Sequence, residues 1–201
     1  LLGQTAGPGI SLGALSASAV STRVGGIPSA GSITLASADS SPGGGGAASP
    51  TDAMLINGPA TLTADSVITL ISSNTGSIRV AGNLAVNSGL RTIITGGQNS
   101  AANPTLSANG ISITTGQLAA DSASIIASTG PVAITTDARF RTTVAGLTGD
   151  LAFGQILAPN GPVTLTSFRN INGTGIETTG ALSATSGGAI DITKTLAASI
   201  A

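Results

Sequence analysis

The 201-residue sequence contains no cysteine, no histidine, no tryptophan and no tyrosine, and only 7% of its residues are charged. Each absence removes a class of chemistry. Without cysteine there are neither disulfides nor thiolate ligands, and without histidine the commonest metal ligand and general base is missing. A nucleophilic serine or threonine needs an adjacent base. With Lys194 the sole lysine, the usual arrangements for acyl transfer cannot be assembled. Arg23, Arg79, Arg91, Arg139, Arg141, Arg169 and Lys194 stand singly except for the pair at 139 and 141. Nucleic acids require a clustered basic stripe, so no nucleic-acid partner is expected.

Aromatic residues make up 1% of the chain, whereas ordinary cores draw much of their buried area from them. Ile, Val, Leu and Ala must supply that area alone, which suits a narrow core repeated many times. Disorder is the competing explanation for so much Gly, Ser, Thr and Ala. Disordered chains, however, combine low hydrophobicity with high net charge, and this one is 41% hydrophobic with a net charge of -1. The opening stretch LLGQTAGPGISLGALSAS has no basic leader and too many Gly and Ser for a signal peptide or a membrane span. The expectation is an internal piece of a longer protein, with no membrane span in this segment.

What is present is a recurring unit, Gly-x-apolar-x-apolar. It occurs as GSITL at 31–35, GPATL at 58–62, GSIRV at 76–80, GISIT at 110–114, GPVAI at 130–134, GPVTL at 161–165 and GAIDI at 188–192. In all but GISIT the apolar pair falls two and four residues after the glycine, which is strand periodicity. Subtracting successive glycine positions gives gaps of 27, 18, 34, 20, 31 and 27, so loops of variable length separate the copies. Weaker strand-like pieces lie between them at 66–71, 83–86, 122–126, 150–153 and 180–184. Each period thus holds two or three short strands. Corner chemistry is available at 74–76, 97–104, 158–162 and 172–175, where Asn and Gly close tight bends.

Periods of this size, several short strands per period and no 3.6-residue pattern describe a solenoid. The expected fold is all-β, a right-handed parallel β-helix with irregular rungs and loop insertions, forming one unit over residues 1–201. Eight to ten rungs would make a rod on the order of 40–50 Å long, with open strand edges at its ends. The stretch SSPGGGGAASP at 40–50 reads as a flexible Gly-rich loop. An antiparallel sandwich is the rival, but the NG pairs at 57–58, 109–110 and 160–161 each precede an anchor strand and do not join two evenly spaced ones.

The segments GPVTLTS at 161–167, TGALSATSGGAIDIT at 179–193 and GDLAFGQILAPNGPV at 149–163 resemble the filamentous haemagglutinin family of two-partner-secretion passengers and related autotransporter adhesins. The resemblance is one of pattern and composition and covers the chain after residue 30. It implies export through an outer-membrane transporter of a Gram-negative-type bacterium and a fibre on the cell surface. The family's secretion-signal motifs of NPNG or NPNL type are missing, since NP occurs only at Asn103 and Pro104, before Thr105. By the resemblance this segment belongs to the shaft.

Four aspartates follow strand-like runs: Asp39, Asp65, Asp121 and Asp137. Turn formation accounts for them. The sharper alternative is calcium binding or a carboxylate pair for glycoside cleavage, formed if stacked turns bring two acids together. Phe140, Phe153 and Phe168, flanked by Arg139, Arg141 and Arg169, are a candidate ligand patch or else fillers of wide rungs. NGT at 172–174 fits the glycosylation pattern, but no glycan is assigned. Ice binding needs a regular threonine array, and the anchors place Thr34, Arg79, Ala133 and Thr164 at what look like equivalent outward positions, which is not regular.

No residue is nominated as catalytic, cofactor-binding or metal-binding, and no cofactor is expected. The functional expectation is a non-catalytic shaft of a secreted or surface-exposed adhesin. Its partners would be glycans or proteins of a host or cell surface, met by the loops at 40–50 and 97–105. The alternatives are a carbohydrate-active β-helix, with Asp121, Asp137 and Asp150 as the acids to test, and a trimeric phage tail fibre or spike.

Overall fold

A computed structural model describes residues 10–20, 31–37, 54–72, 77–96, 104–137 and 147–200. The chain winds in coils of three short strands. The first coil is β1 (Ile10–Leu12), β2 (Leu15–Ala19) and β3 (Ile33–Ser37), and the second is β4 (Met54–Ile56), β5 (Ala60–Ala64) and β6 (Val67–Ser72). The third holds β7 (Ile78–Val80), β8 (Asn83–Ser88) and β9 (Arg91–Gly96), and the fourth β10 (Leu106–Ala108), β11 (Gly110–Thr115) and β12 (Leu118–Ala120). Then follow β13 (Ile125–Ser128), β14 (Val132–Thr136), β15 (Leu151–Ala158), β16 (Val163–Ser167), β17 (Ile171–Thr178), β18 (Ala181–Ser186), β19 (Ile190–Ile192), β20 (Thr195–Leu196) and β21 (Ser199–Ile200).

Every strand pairs in parallel with its counterpart one coil away, which makes the protein a parallel β-helix with three faces. The second face is an eight-stranded sheet in the order β2-β5-β8-β11-β14-β16-β18-β21. On the first face β1, β4, β7, β10 and β13 stack, and on the third β3, β6, β9 and β12. Both runs meet in β15, which bends at Gly154. Its Leu151 and Ala152 pair with β12 on the third face, and its Gln155, Ile156 and Leu157 with β13 on the first. β17 repeats the arrangement above it. At roughly 4.8 Å per strand, eight coils give a rod about 40 Å long.

Alternation along each strand sends one set of side chains inward. On the second face Leu62, Val86, Ile113, Ile134 and Leu165 stack in register, all essentially without exposure. Met54, Ile78, Leu106, Ile126, Ile156 and Ile176 do the same on the first face, and on the third Leu118, Leu151 and Ile171 continue the column of Ile68 and the buried Thr92. Single aliphatic columns fill the space between faces, so few aromatics are needed. Phe153 is the exception, and it fits because Gly173 lies above it: a Cβ there would come within 2.2 Å of the ring. In the last coil Ile190, Leu196 and Ile200 are exposed.

The three corners differ. The first corner, from first to second face, is never longer than four residues. It carries a stack of glycines that lets backbones touch. A Cβ on Gly82 would meet Gly58 and Pro59, one on Gly161 would lie 2.3 Å from the Gly130 carbonyl carbon, and one on Gly180 2.8 Å from that of Gly161. The NG pairs sit here: Asn57 donates from Nδ2 to the Leu12 carbonyl at 3.1 Å, and Asn109 to that of Ala81 at 2.6 Å.

The second corner, from second to third face, holds an inward ladder of hydroxyls. Ser88 shares a 2.7 Å hydrogen bond with Thr115, and the Thr115 hydroxyl donates to the Gln117 carbonyl at 3.0 Å. Above them, the Thr136 and Ser167 hydroxyls donate to the Gly149 carbonyl at 2.8 and 3.1 Å. Gly149 has φ 75°, a left-handed conformation that side chains disfavour, and it lets the chain re-enter the coil beneath those hydroxyls. Buried hydroxyls that bond carbonyls at these bends satisfy backbone that no ladder reaches.

Longer insertions occur only at the second and third corners. Residues 20–32 and 137–150 join second to third face, while 38–53, 73–77 and 97–105 join the third face to the next coil. The Gly-rich stretch at 40–50 lies outside the described residues. The strand-like piece expected at 122–126 begins later, at Ile125, because Ser122 and Ala123 form a turn.

Truncating Ile134 to Ala is expected to cost about 2–5 kcal/mol in urea unfolding, whereas Thr95→Val on the outside should cost under about 0.5 kcal/mol. Gly161→Ala should lower the melting temperature clearly more than Gly13→Ala, since a Cβ at Gly13 meets nothing within 4 Å. Equal shifts would show that the glycine stack does not constrain the coils.

Candidate functional site

The described aspartates are dispersed over the coil. Asp65 and Asp137 both follow second-face strands, at the second corner, but three coils apart, about 14 Å by the strand spacing. Asp121 lies at the third corner, where one carboxylate oxygen accepts the Gly96 amide at 3.1 Å and its carbonyl accepts the Ser124 amide and hydroxyl. Asp39 is outside the described residues. Among the described residues, no group of three or more acidic side chains is placed to hold a metal ion.

Asp150 opens the third-face half of β15 and belongs to an outward polar ladder. Arg91 reaches the Gln117 side-chain oxygen at 3.5 Å one coil above, and Asp150 accepts from the Asn170 amide at 3.0 Å and from Asn170 Nδ2 at 2.9 Å. Burial by itself pushes the Asp150 carboxyl up. Hydrogen bonds from Thr148 and Asn170 and the nearby Arg169 charge outweigh it and hold the group below its ordinary value of 3.8. The ladder is a vertical brace between coils.

An open groove of about 270 Å³ runs along the third face of the upper coils. Ala152, Asn172 and Asp191, consecutive members of one outward column, form one side, and Ser122, Thr174 and Thr193 the other. Among the described residues, Asp191 is the single carboxylate in its lining. Glycoside cleavage needs two facing carboxyl groups, so this lining does not furnish that pair. NGT at 172–174 lies on β17, with Asn172 exposed at the groove.

Of the phenylalanine and arginine cluster, the described residues Phe153 and Phe168 do not share a patch. Phe153 is buried in the core, while Phe168 is 43% exposed at the second corner. Phe140, Arg139 and Arg141 lie outside the described residues.

The Gly-x-apolar-x-apolar anchors prove not to be equivalent. GPATL, GISIT, GPVAI and GPVTL lead into second-face strands, GSITL and GAIDI into third-face strands, and GSIRV into β7 on the first face. Thr34, Arg79, Ala133 and Thr164 therefore do not share a column, apart from the pair Ala133 and Thr164. The irregularity expected from them arises from comparing three faces. In true register the second face turns outward the flanking residues of SAS at 16–18, TLT at 61–63, AVN at 85–87, SIT at 112–114, AIT at 133–135, TLT at 164–166 and SAT at 183–185. The signal was present as small-polar, apolar, small-polar triplets, but several of their strands lack the leading glycine that defined the anchors.

Among the described residues no helix is long and apolar enough to cross a membrane. Searches of protein-family models, curated proteins and solved structures each returned no match to the chain.

A depressed carboxyl pKa contributes stability that is fully present above the unfolded value and lost as pH falls through the folded one. Asp150→Asn should therefore lower the melting temperature at pH 7 and flatten its decline between about pH 5 and 2. An unchanged acid limb would show that Asp150 does not brace the coils.

Proposed function

We propose that this chain is a non-catalytic shaft segment of a large secreted or surface-exposed bacterial adhesin. The observation that supports the reading is where the chain spends its extra residues. The inward columns, aliphatic except where Thr92 takes a third-face position, and the tight first corner recur from coil to coil, while the longer insertions leave at the two corners bordering the third face. The longest, 38–53, and the one at 97–105 both leave the third face at the same edge of the rod. A rod that tolerates insertion at two of its three corners can display segments without disturbing its core.

In this reading the chain reaches the cell surface of a Gram-negative-type bacterium through an outer-membrane transporter. It meets glycans or proteins of another surface through those segments. Carbohydrate cleavage is the weaker reading, since among the described residues the groove offers Asp191 without a second carboxylate.

The test replaces residues 40–50 with a short Gly-Ser link and measures binding of the chain to glycan arrays and cultured host cells. Binding by the parent chain, lost in the variant with melting unchanged, is the expected result. Turnover of a polysaccharide by the parent chain, abolished by Asp191→Asn, would replace the shaft with an enzyme, and a stable trimer in sedimentation would point to a tail fibre.

A further inference from the structure

The second face differs from the other two in what it turns outward. Of its fourteen outward positions in the seven triplets, eleven are serine or threonine, and the remaining three are Ala85, Asn87 and Ala133. None is charged or aromatic. The first face, by contrast, presents Arg79 and Glu177, and the third Arg91 and Asp191.

These hydroxyls are not occupied by the fold. Inside the coil, Ser88, Thr115, Thr136 and Ser167 all bond other residues. None of the outward hydroxyls makes a hydrogen bond to another described residue, and all are exposed or half-buried. Pairing is in register without a bulge through six successive strand pairs, from Ser18 and Thr63 up to Thr166 and Thr185. The result is a two-column grid with a period of roughly 4.8 Å along the rod and roughly 6.7 Å along each strand. On one margin the tight first corner leaves the grid open, with no insertion of more than four residues beside it.

We propose that the second face binds the surface of ice crystals. A crystal of water is the ligand whose chemistry fits. It presents a periodic array of hydrogen-bonding groups and excludes ions, so a binding face must be regular and uncharged. Threonine supplies a hydroxyl and a methyl group on a side chain whose χ1 is already restricted, so little freedom is lost on contact. The two grid periods fall in the range of the repeat distances of ice lattice planes. A polysaccharide fits less well, because sugar faces are held by aromatic platforms and this face has none. An anionic polymer would need cations that the face also lacks.

The experiment measures inhibition of ice recrystallisation and thermal hysteresis with the full chain. Both are expected for the parent protein. Thr135→Lys combined with Thr166→Lys, two neighbours in the upper half of one column, should weaken recrystallisation inhibition by about tenfold or more while circular dichroism and melting stay near those of the parent. Thr95→Lys, the same charge placed on the third face, should leave inhibition intact. A folded parent chain with no effect on ice growth overturns the proposal, as does an equal loss from Thr95→Lys. It is also overturned if sedimentation shows the parent pairing through this face and Thr135→Lys separating the copies. Cell binding through residues 40–50 is read separately, so either reading can fail without the other.

Discussion

Everything in this fold depends on stacking one coil on the next in parallel register. Hydrogen bonds between equivalent strands hold the coils at a fixed spacing, so each inward side chain rests on its counterpart and must match it in width. Ile113, Ile134 and Leu165 succeed one another because the cross-section changes little from coil to coil. Where a larger group enters, the neighbour gives way, as Gly173 does over Phe153. The same spacing explains the glycine corner, since backbones one coil apart at a tight bend leave no room for a Cβ between Gly130, Gly161 and Gly180.

Bending a chain three times per coil also interrupts its hydrogen-bond ladder. The fold meets this cost with short hydroxyl side chains at the ends of five successive second-face strands, Ser88, Thr115, Thr136, Ser167 and Ser186. Thr136 and Ser167 both reach the Gly149 carbonyl, and Ser186 bonds the Arg169 carbonyl. A polar residue inside so narrow a core is tolerated because its partner is a fixed backbone group one bend away. Serine and threonine thus serve two separate purposes, bonded within the coil and unbonded on its second face.

The three faces consequently carry different burdens. Insertions and the polar ladder of Arg91, Gln117, Asp150 and Asn170 gather around the third face. The second face is left uniform and uncharged, with a corner too tight for insertion on one margin and the insertions 20–32 and 137–150 on the other. A protein that displays segments on one side and a regular surface on another follows from this division.

The sequence by itself determined the fold class. The absence of Cys, Trp and Tyr, the short aliphatic alternations and the recurring Gly and Asn could be satisfied only by many narrow, repeated layers, and the parallel coil is that arrangement. It also placed most strands, because the period-two pattern depends only on residues within a strand. What it could not determine was which strands share a face. GSITL, GSIRV and GPVTL look alike because each must bury alternate residues beside a turn, yet they lie on the third, first and second faces. Face identity is set by how many residues each corner consumes, and insertions such as 38–53 hide that count. Only the register of stacked strands reveals that Thr135 stands over Thr114 and under Thr166, and that Phe153 lies inside the coil while Phe168 lies outside.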